Sequence, residues 1–170
     1  VGFGVVEILT QQKERLEKHI HEEVTVKYGC ALNEVTLPDG IIYTQDFHDV
    51  LNDDEVDVVV ELIGGTTIAK TIILEALKKG KHVVTANKAL IAHDGQEIFE
   101  TAAKYHAKIY YEAAVGGGIP VVVPAKEDLI ANEIEKIEGI LNGTTNFILT
   151  LMENENLDFD EALSIADGLG

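Results

Sequence analysis

Apolar residues at Val5, Ile8, Leu9, Leu16 and Ile20 recur close to the helical period between Gln and charged residues, which predicts one amphipathic helix from Phe3 to about Ile20. The stretch from Val24 to Leu32 has the β-branched character of a strand, and VDVVVELI from Val56 to Ile63 has it more strongly. So continuous an apolar run predicts burial on both faces, the habit of a parallel sheet covered by crossover helices. A helix follows from about Thr67 to Lys79, with Ile68, Ile72, Ile73, Ala76 and Leu77 on one side and Gly80 as its stop. Then come a strand at His82 to Thr85, a helix from about Lys88 to His106 and a short strand at Lys108 to Tyr111. This βαβαβ alternation is that of a doubly wound α/β fold. Strands near Val24, Val58, Val83 and Ile109 should therefore end on one common edge of a single sheet, with the loops at Gly64 and Asn87 as neighbours.

After Tyr111 the texture changes. YEAAVGGGIP is a glycine-rich turn, expected to lead into a helix ending near Asn132, then a strand from Ile134 to Leu141, a turn at Asn142-Gly143, a helix from Thr144 to about Glu153 and another beginning near Phe159. The boundary is placed so that residues 1–112 form one domain and 113–170 the start of an α+β second region, expected to be cut short.

Composition narrows the function classes. A chain of 170 residues with 46% apolar content can bury a core, whereas a formal charge of −17 has the wrong sign for holding a nucleic-acid backbone. Cys30 is the only cysteine, so no internal disulfide forms and a reducing cytoplasm is the expected compartment. The longest uncharged stretch, Ala113 to Ala125, is interrupted by glycines and prolines and falls short of the roughly 20 apolar residues that span a bilayer. The histidines form no H-E-x-x-H or Cys/His set, which argues against a zinc site.

Gly2-Phe3-Gly4 suggests the glycine fingerprint that brings bare backbone to a pyrophosphate at a helix N-terminus. In that register the third glycine position is Glu7, and the match fails. The better register makes Gly2 the last glycine of the fingerprint, so the expected fold is a Rossmann-type parallel sheet lacking its first strand. A glycine pair before a helix also reads as a simple cap. Gly29, Cys30, Ala31 and Leu32 supply neither the acid nor the base that would choose between NAD and NADP at the end of the second strand, and Glu34 is distant, so that choice stays open.

Three stretches, ELIGGTT (Glu61 to Thr67) with VVTANKALIA (Val83 to Ala92), YEAAVGGGIP (Tyr111 to Pro120) and IEGILNGTTNFIL (Ile137 to Leu149), resemble homoserine dehydrogenases in order and spacing. The resemblance runs essentially from Val1 to Gly170. It implies an oxidoreductase of amino-acid biosynthesis, interconverting aspartate 4-semialdehyde and homoserine with NADP or NAD on the route to threonine, methionine and isoleucine. It also implies a homodimer or higher homo-oligomer at full length, with the remaining catalytic groups beyond this segment, which alone is expected to be inactive.

Gly64, Gly65 and Thr66 follow a strand at its C-terminal end, where open α/β sheets bind ligands, although a plain strand-to-helix turn capped by Thr66 or Thr67 would also use them. Asn87 and Lys88 follow the next strand. A lysine opening a helix is badly placed for the helix dipole, so a negative or polarised ligand explains it better than a solvated surface position. By resemblance Lys88 matches the lysine between nicotinamide and substrate, and an ammonium there can stabilise an alkoxide or protonate it. By the same resemblance Glu112, Val115, Gly117 and Ile119 gather a sodium or potassium ion largely through backbone carbonyls, against the alternative of an interdomain hinge, and Gly143 and Thr144 meet the substrate. Rival functions are another Rossmann dehydrogenase of aspartate-derived aldehydes, a fusion with aspartate kinase, and a nicotinamide-sensing module without chemistry.

Overall fold

The computed structural model describes residues 1–169 and divides into two compact units, Val1–Ala114 and Val115–Gly170.

The first unit opens with two helices, α1 (Gly2–Gln11) and α2 (Lys13–Ile20), in place of the single helix expected. Within α1 the Thr10 hydroxyl donates back to the Val6 carbonyl at 2.8 Å, a bond that competes with the helical ladder, and the helix stops at Gln12. Neither helix buries a residue, so no packing holds the two in line.

The strand expected from Val24 to Leu32 contracts to β1 (Tyr28–Cys30). The Val24 amide is taken by the Glu17 carboxylate at 3.0 Å rather than by a neighbouring strand. β1 pairs in parallel with β2 (Ile42–Thr44), from Tyr28 opposite Ile42 to Cys30 opposite Thr44. A turn around Gly40 (φ +89°) feeds β2, and α3 (Phe47–Leu51) follows it, capped by the Asp46 carboxylate on the His48 amide.

The core lies in the next portion. β3 (Val58–Glu61), β4 (His82–Thr85) and β5 (Ile109–Tyr110) form a parallel sheet in that order, connected by α4 (Ile68–Lys78) and α5 (Lys88–Lys104). Ala69, Ile72, Ile73, Ala76 and Leu77 of α4 and Leu90, Ile98 and Ala102 of α5 bury together against Val59 and Val83. The spacing of those residues is the helical stripe legible in the sequence. Gly80, at φ +76°, ends the α4 segment in the left-handed conformation that glycine adopts without strain. Lys81 is buried and donates to the carbonyls of Asp53 and Val56, both at 2.7 Å, which closes the turn leading into β3. At the same turn Lys27 pairs with Asp53 (2.6 Å) and with Glu55, and Tyr28 donates to Asp53 at 2.8 Å.

Two expectations about this sheet are corrected. The strands do not form one sheet, because β1 and β2 pair only with each other. Within each piece the parallel neighbours, β1 beside β2 and β3-β4-β5 in chain order, are those that the 3-2-1-4-5-6 order of the Rossmann arrangement gives strands 2 and 3 and strands 4 to 6. Nor is VDVVVELI buried on both faces. Val59 and Glu61 point inward while Val58 and Val60 are 47% and 41% exposed, since the packed helices α4 and α5 cover only the face that carries Val59.

The second unit begins in the glycine-rich segment and continues into one π-helical turn, Pro124–Asp128, whose Leu129 amide reaches the Pro124 carbonyl at 3.0 Å. The helix expected to run to Asn132 is therefore a short stretch, α-helical at Val122 and Val123 and π-helical to Asp128, that gives way to turns and irregular chain. Residues 133–142 hold no strand, contrary to expectation. An extended segment becomes a strand only when its amides and carbonyls find a ladder partner, and no other strand lies in this unit among the described residues. Helices α6 (Gly143–Glu155) and α7 (Phe159–Leu169) pack through Ile148, Ala162 and Ala166. Asn156, at φ +52°, ends α6, and Asp158 and Glu161 form a reciprocal capping box at α7, with bonds of 2.9 and 3.1 Å.

Candidate functional site

Parallel pairing of β3 with β4, Val58 opposite His82 through Glu61 opposite Thr85, makes both strands end at the same edge. The Gly64-Gly65 loop and the Asn87-Lys88 turn leave from those ends, and they are joined directly. The Asn87 side-chain amide donates to the Gly65 carbonyl at 2.7 Å, while its oxygen accepts the Leu90 amide at 3.1 Å and so caps α5. Both ends of this side chain are engaged by the protein itself, and Asn87 is 8% exposed.

Beneath the two loops sits Glu61. It is 2% exposed; one carboxylate oxygen accepts the amides of Ile63 (2.8 Å) and Gly64 (3.2 Å), and the other accepts the Thr85 hydroxyl at 2.6 Å. The Thr85 oxygen in turn accepts the Asn87 amide at 3.0 Å. Sequence reasoning passed over Glu61 because it stands inside an apolar run. The signal that marks it is an acid at the last residue of a buried strand, immediately before a glycine pair.

Gly64 and Gly65 have φ of +80° and +70°, and a Cβ built on either would meet no atom within 4 Å. Their conformation, not crowding by the protein, requires glycine, and the space beside the backbone is open to a ligand. Thr66 lies exposed in the same loop, and Thr67 precedes α4 without a side-chain cap bond. Among the described residues no threonine hydroxyl thus caps the first amides of α4. Lys88 is exposed at the first residue of α5, and its ammonium makes no hydrogen bond or ion pair among the described residues. Lys70, by contrast, is held by Asp94 at 2.6 Å and Glu97 at 2.7 Å, which raise its pKa, while the Lys70 ammonium in turn lowers that of Asp94.

The remaining sequence-predicted residues lie elsewhere. Gly2 begins α1, exposed, and no hydrogen bond ties it to the loops at Gly64 or Asn87. Glu112 belongs to the 3-10 turn Glu112–Ala114 that closes the first unit, where the preceding Tyr111 ring packs on Phe99 of α5 with centroids 5.1 Å apart. Val115, Gly117 and Ile119 belong to the second unit, in a turn with Gly116 and Gly117 at φ +69° and +64° and the Ile119 amide on the Gly116 carbonyl at 3.2 Å. Among the described residues no three His, Cys, Asp or Glu side chains cluster as metal ligands. Gly143 and Thr144 open α6, whose N-cap Asn142 accepts the Thr145 amide at 2.8 Å.

Residues 1–112 match the NAD binding domain of homoserine dehydrogenases, and residues 120–170 match a second family model described as homoserine dehydrogenase. The chain is 46% identical to a homoserine dehydrogenase of Synechocystis, over all of this chain and 40% of that protein. It superposes on the crystal structure of a homoserine dehydrogenase from Thiobacillus denitrificans with a TM-score of 0.90 at 40% identity, covering 100% of this chain and 40% of that one. A hyperthermophilic archaeal homoserine dehydrogenase in complex with NADPH gives a TM-score of 0.66 at 29% identity, covering 79% of this chain and 41% of that one. The chain thus spans about two fifths of the length of the relatives it matches.

Proposed function

This chain belongs to the homoserine dehydrogenase family, and from that premise we propose that the protein of which it forms part is an NAD(P)-dependent homoserine dehydrogenase, interconverting aspartate 4-semialdehyde and homoserine. The observation that carries the reading is the joined pair of loops at one sheet edge: two open glycines at positive φ, Asn87 bridging to them, and an unpaired ammonium at Lys88. An anionic and polarised ligand suits that combination.

In this reading residues 1–112 bind the nicotinamide nucleotide and 113–170 begin the catalytic domain. Gly64, Gly65 and Thr66 let the nucleotide approach bare backbone. Asn87 holds the two loops in register, and Gly2 lies at the helix that would face the pyrophosphate. When bound, the nicotinamide exchanges a hydride with the substrate carbon. Lys88 supplies the positive charge that stabilises the oxygen of that carbon as it becomes an alkoxide, and gives it a proton. Gly143 and Thr144 meet the substrate, and carbonyls near Glu112, Val115, Gly117 and Ile119 hold a sodium or potassium ion. The cofactor is NADP or NAD; the archaeal relative solved with NADPH supports the first. The protein works in the cytoplasm as a homo-oligomer, and no described helix is long and apolar enough to cross a membrane.

The test is homoserine oxidation by the full-length protein with NADP and with NAD, followed by nicotinamide absorbance. Turnover with homoserine and none with other small hydroxy amino acids is expected. Binding of nicotinamide without any turnover would replace this reading with a sensing module.

A further inference from the structure

We propose that Glu61 is a positioning residue for the nicotinamide site, fixing the Gly64-Gly65 loop and the Asn87-Lys88 turn relative to each other through Thr85. The proposal rests on the nicotinamide-binding reading above and adds to it a residue that touches neither cofactor nor substrate.

The geometry makes one chain of hydrogen bonds. Glu61 accepts the amides of Ile63 and Gly64 on one side and the hydroxyl of Thr85 on the other, and Thr85 accepts the amide of Asn87. Asn87 closes the circuit by donating to the Gly65 carbonyl. Two loops that leave adjacent strands are thereby tied at both their roots and their crests. Lys88, the next residue along, inherits its position from this circuit.

Strand pairing alone does not require such an arrangement. Glu61 is 2% exposed and Thr85 fully buried, and no ion pair to Glu61 forms among the described residues, so a carboxylate is kept inside the protein on hydrogen bonds only. Burying an acid without a cation is costly, and a small neutral side chain would end the strand more cheaply. A carboxylate has one property that a neutral amide lacks: both oxygens only accept. The Thr85 hydrogen must therefore point to Glu61, which leaves the Thr85 lone pairs for the Asn87 amide. A glutamine would offer an N–H to Thr85 and remove that constraint. The direction of the Thr85 hydroxyl, and with it the acceptor left for the Asn87 amide, thus depends on the acid.

The experiment uses the full-length protein and measures the dissociation constant of reduced nicotinamide nucleotide by its fluorescence, the steady-state KM for cofactor and for homoserine, and the melting temperature. Glu61→Gln and Thr85→Val should each weaken cofactor binding about tenfold, the equivalent of one charge-assisted hydrogen bond, with the homoserine KM little changed. Thr85→Ser, which keeps the hydroxyl, should bind as the wild type does. The double variant Glu61→Gln/Thr85→Val should be no weaker than the poorer single, since both break one circuit. Lower melting temperatures with an unchanged cofactor dissociation constant would assign Glu61 to stability alone and overturn the proposal. Fully additive losses would overturn it too. The binding measurement separates this from the functional reading: wild-type protein that binds the nucleotide but does not oxidise homoserine removes that reading and still reports the Glu61 effect, whereas wild-type protein that binds no nicotinamide removes both.

Discussion

The side chain of Asn87 reaches across from the end of β4 to donate to the carbonyl of Gly65, at 2.7 Å, so that one residue both caps a helix and holds the neighbouring glycine loop. The two roles can be separated. Asn87→Ala removes both and should lower stability by about 1 kcal/mol for the cap, together with cofactor affinity. Asn87→Asp keeps an oxygen for the Leu90 amide but sets a carboxylate against the Gly65 carbonyl. It should hold the helix and still weaken nicotinamide binding. A calorimetric titration of both variants checks this: cofactor affinity equal to wild type in Asn87→Asp would mean that the bridge has no part in binding.

Gly65→Ala examines the open space beside the loop. A Cβ at this position meets nothing within 4 Å, so in the free protein only the positive φ of +70° opposes it. That strain amounts to about 1 to 2 kcal/mol. If a ligand lies against the backbone here, the loss of cofactor affinity should exceed the loss of stability, because the methyl group occupies the approach path. Equal losses in a melting curve and a binding isotherm would place the ligand elsewhere.

Much of this arrangement was legible beforehand. The stripe Ile68, Ile72, Ile73, Ala76 and Leu77 with Gly80 gave α4 and its end, and the turn after Thr85 gave α5, because helical period, stop signal and cap are all local. β2 and α3 were missed, although Pro38-Asp39-Gly40 before IIYT marks a turn into a strand and Asp46 is a helix cap. What could not be read locally is pairing. The splitting of β1 from β3, the open side of Val58 and Val60, and the absence of a strand at residues 133–142 each depend on whether a partner segment is present, which no short window encodes. Within the site, the glycine loop and Lys88 stood out by residue type. Glu61 did not, because its meaning comes from Thr85 across the sheet.

Asp53 predicts an acid-sensitive joint at the start of β3. Lys27, then the Glu55 amide and the Tyr28 hydroxyl, hold its carboxyl down to about 2. A carboxyl depressed on folding contributes stability above its unfolded pKa of about 3.9 and loses it as the pH falls towards its folded value. The melting temperature of the full-length protein should therefore drop more steeply between about pH 4 and pH 2 than that of Asp53→Asn. The variant should be the less stable of the two at neutral pH. Parallel curves for the two proteins would show that the joint contributes nothing measurable.

The turn containing Val115, Gly117 and Ile119, with Glu112 just before it, predicts a response to monovalent cations. Carbonyl oxygens suit a hard ion, and binding to the folded state raises its stability in proportion to the logarithm of ion concentration above the dissociation constant. Full-length protein exchanged into an ion-free buffer should regain activity or melting temperature on addition of sodium or potassium. No change in either property over a full titration would leave the turn as a hinge whose glycines serve only backbone geometry.

Lys88 carries the chemical half of the proposed function. It opens α5, where a cation is opposed by the helix dipole, and its ammonium is exposed and without a partner among the described residues. Nothing in the fold gains from a lysine at that position, so its contribution should appear in the reaction. In the full-length protein Lys88→Ala should lower kcat by about 10²-fold to 10³-fold, the usual effect of removing one group that stabilises developing charge. The contact strengthens as charge grows on the substrate oxygen, so kcat falls; a lysine that merely anchored the cofactor would raise KM instead. The melting temperature should hold, since an exposed side chain contributes little apolar burial. Steady-state kinetics and a melting curve on the same preparation decide between these roles: a near-normal kcat in Lys88→Ala would remove the chemical argument and leave only the nucleotide-binding architecture.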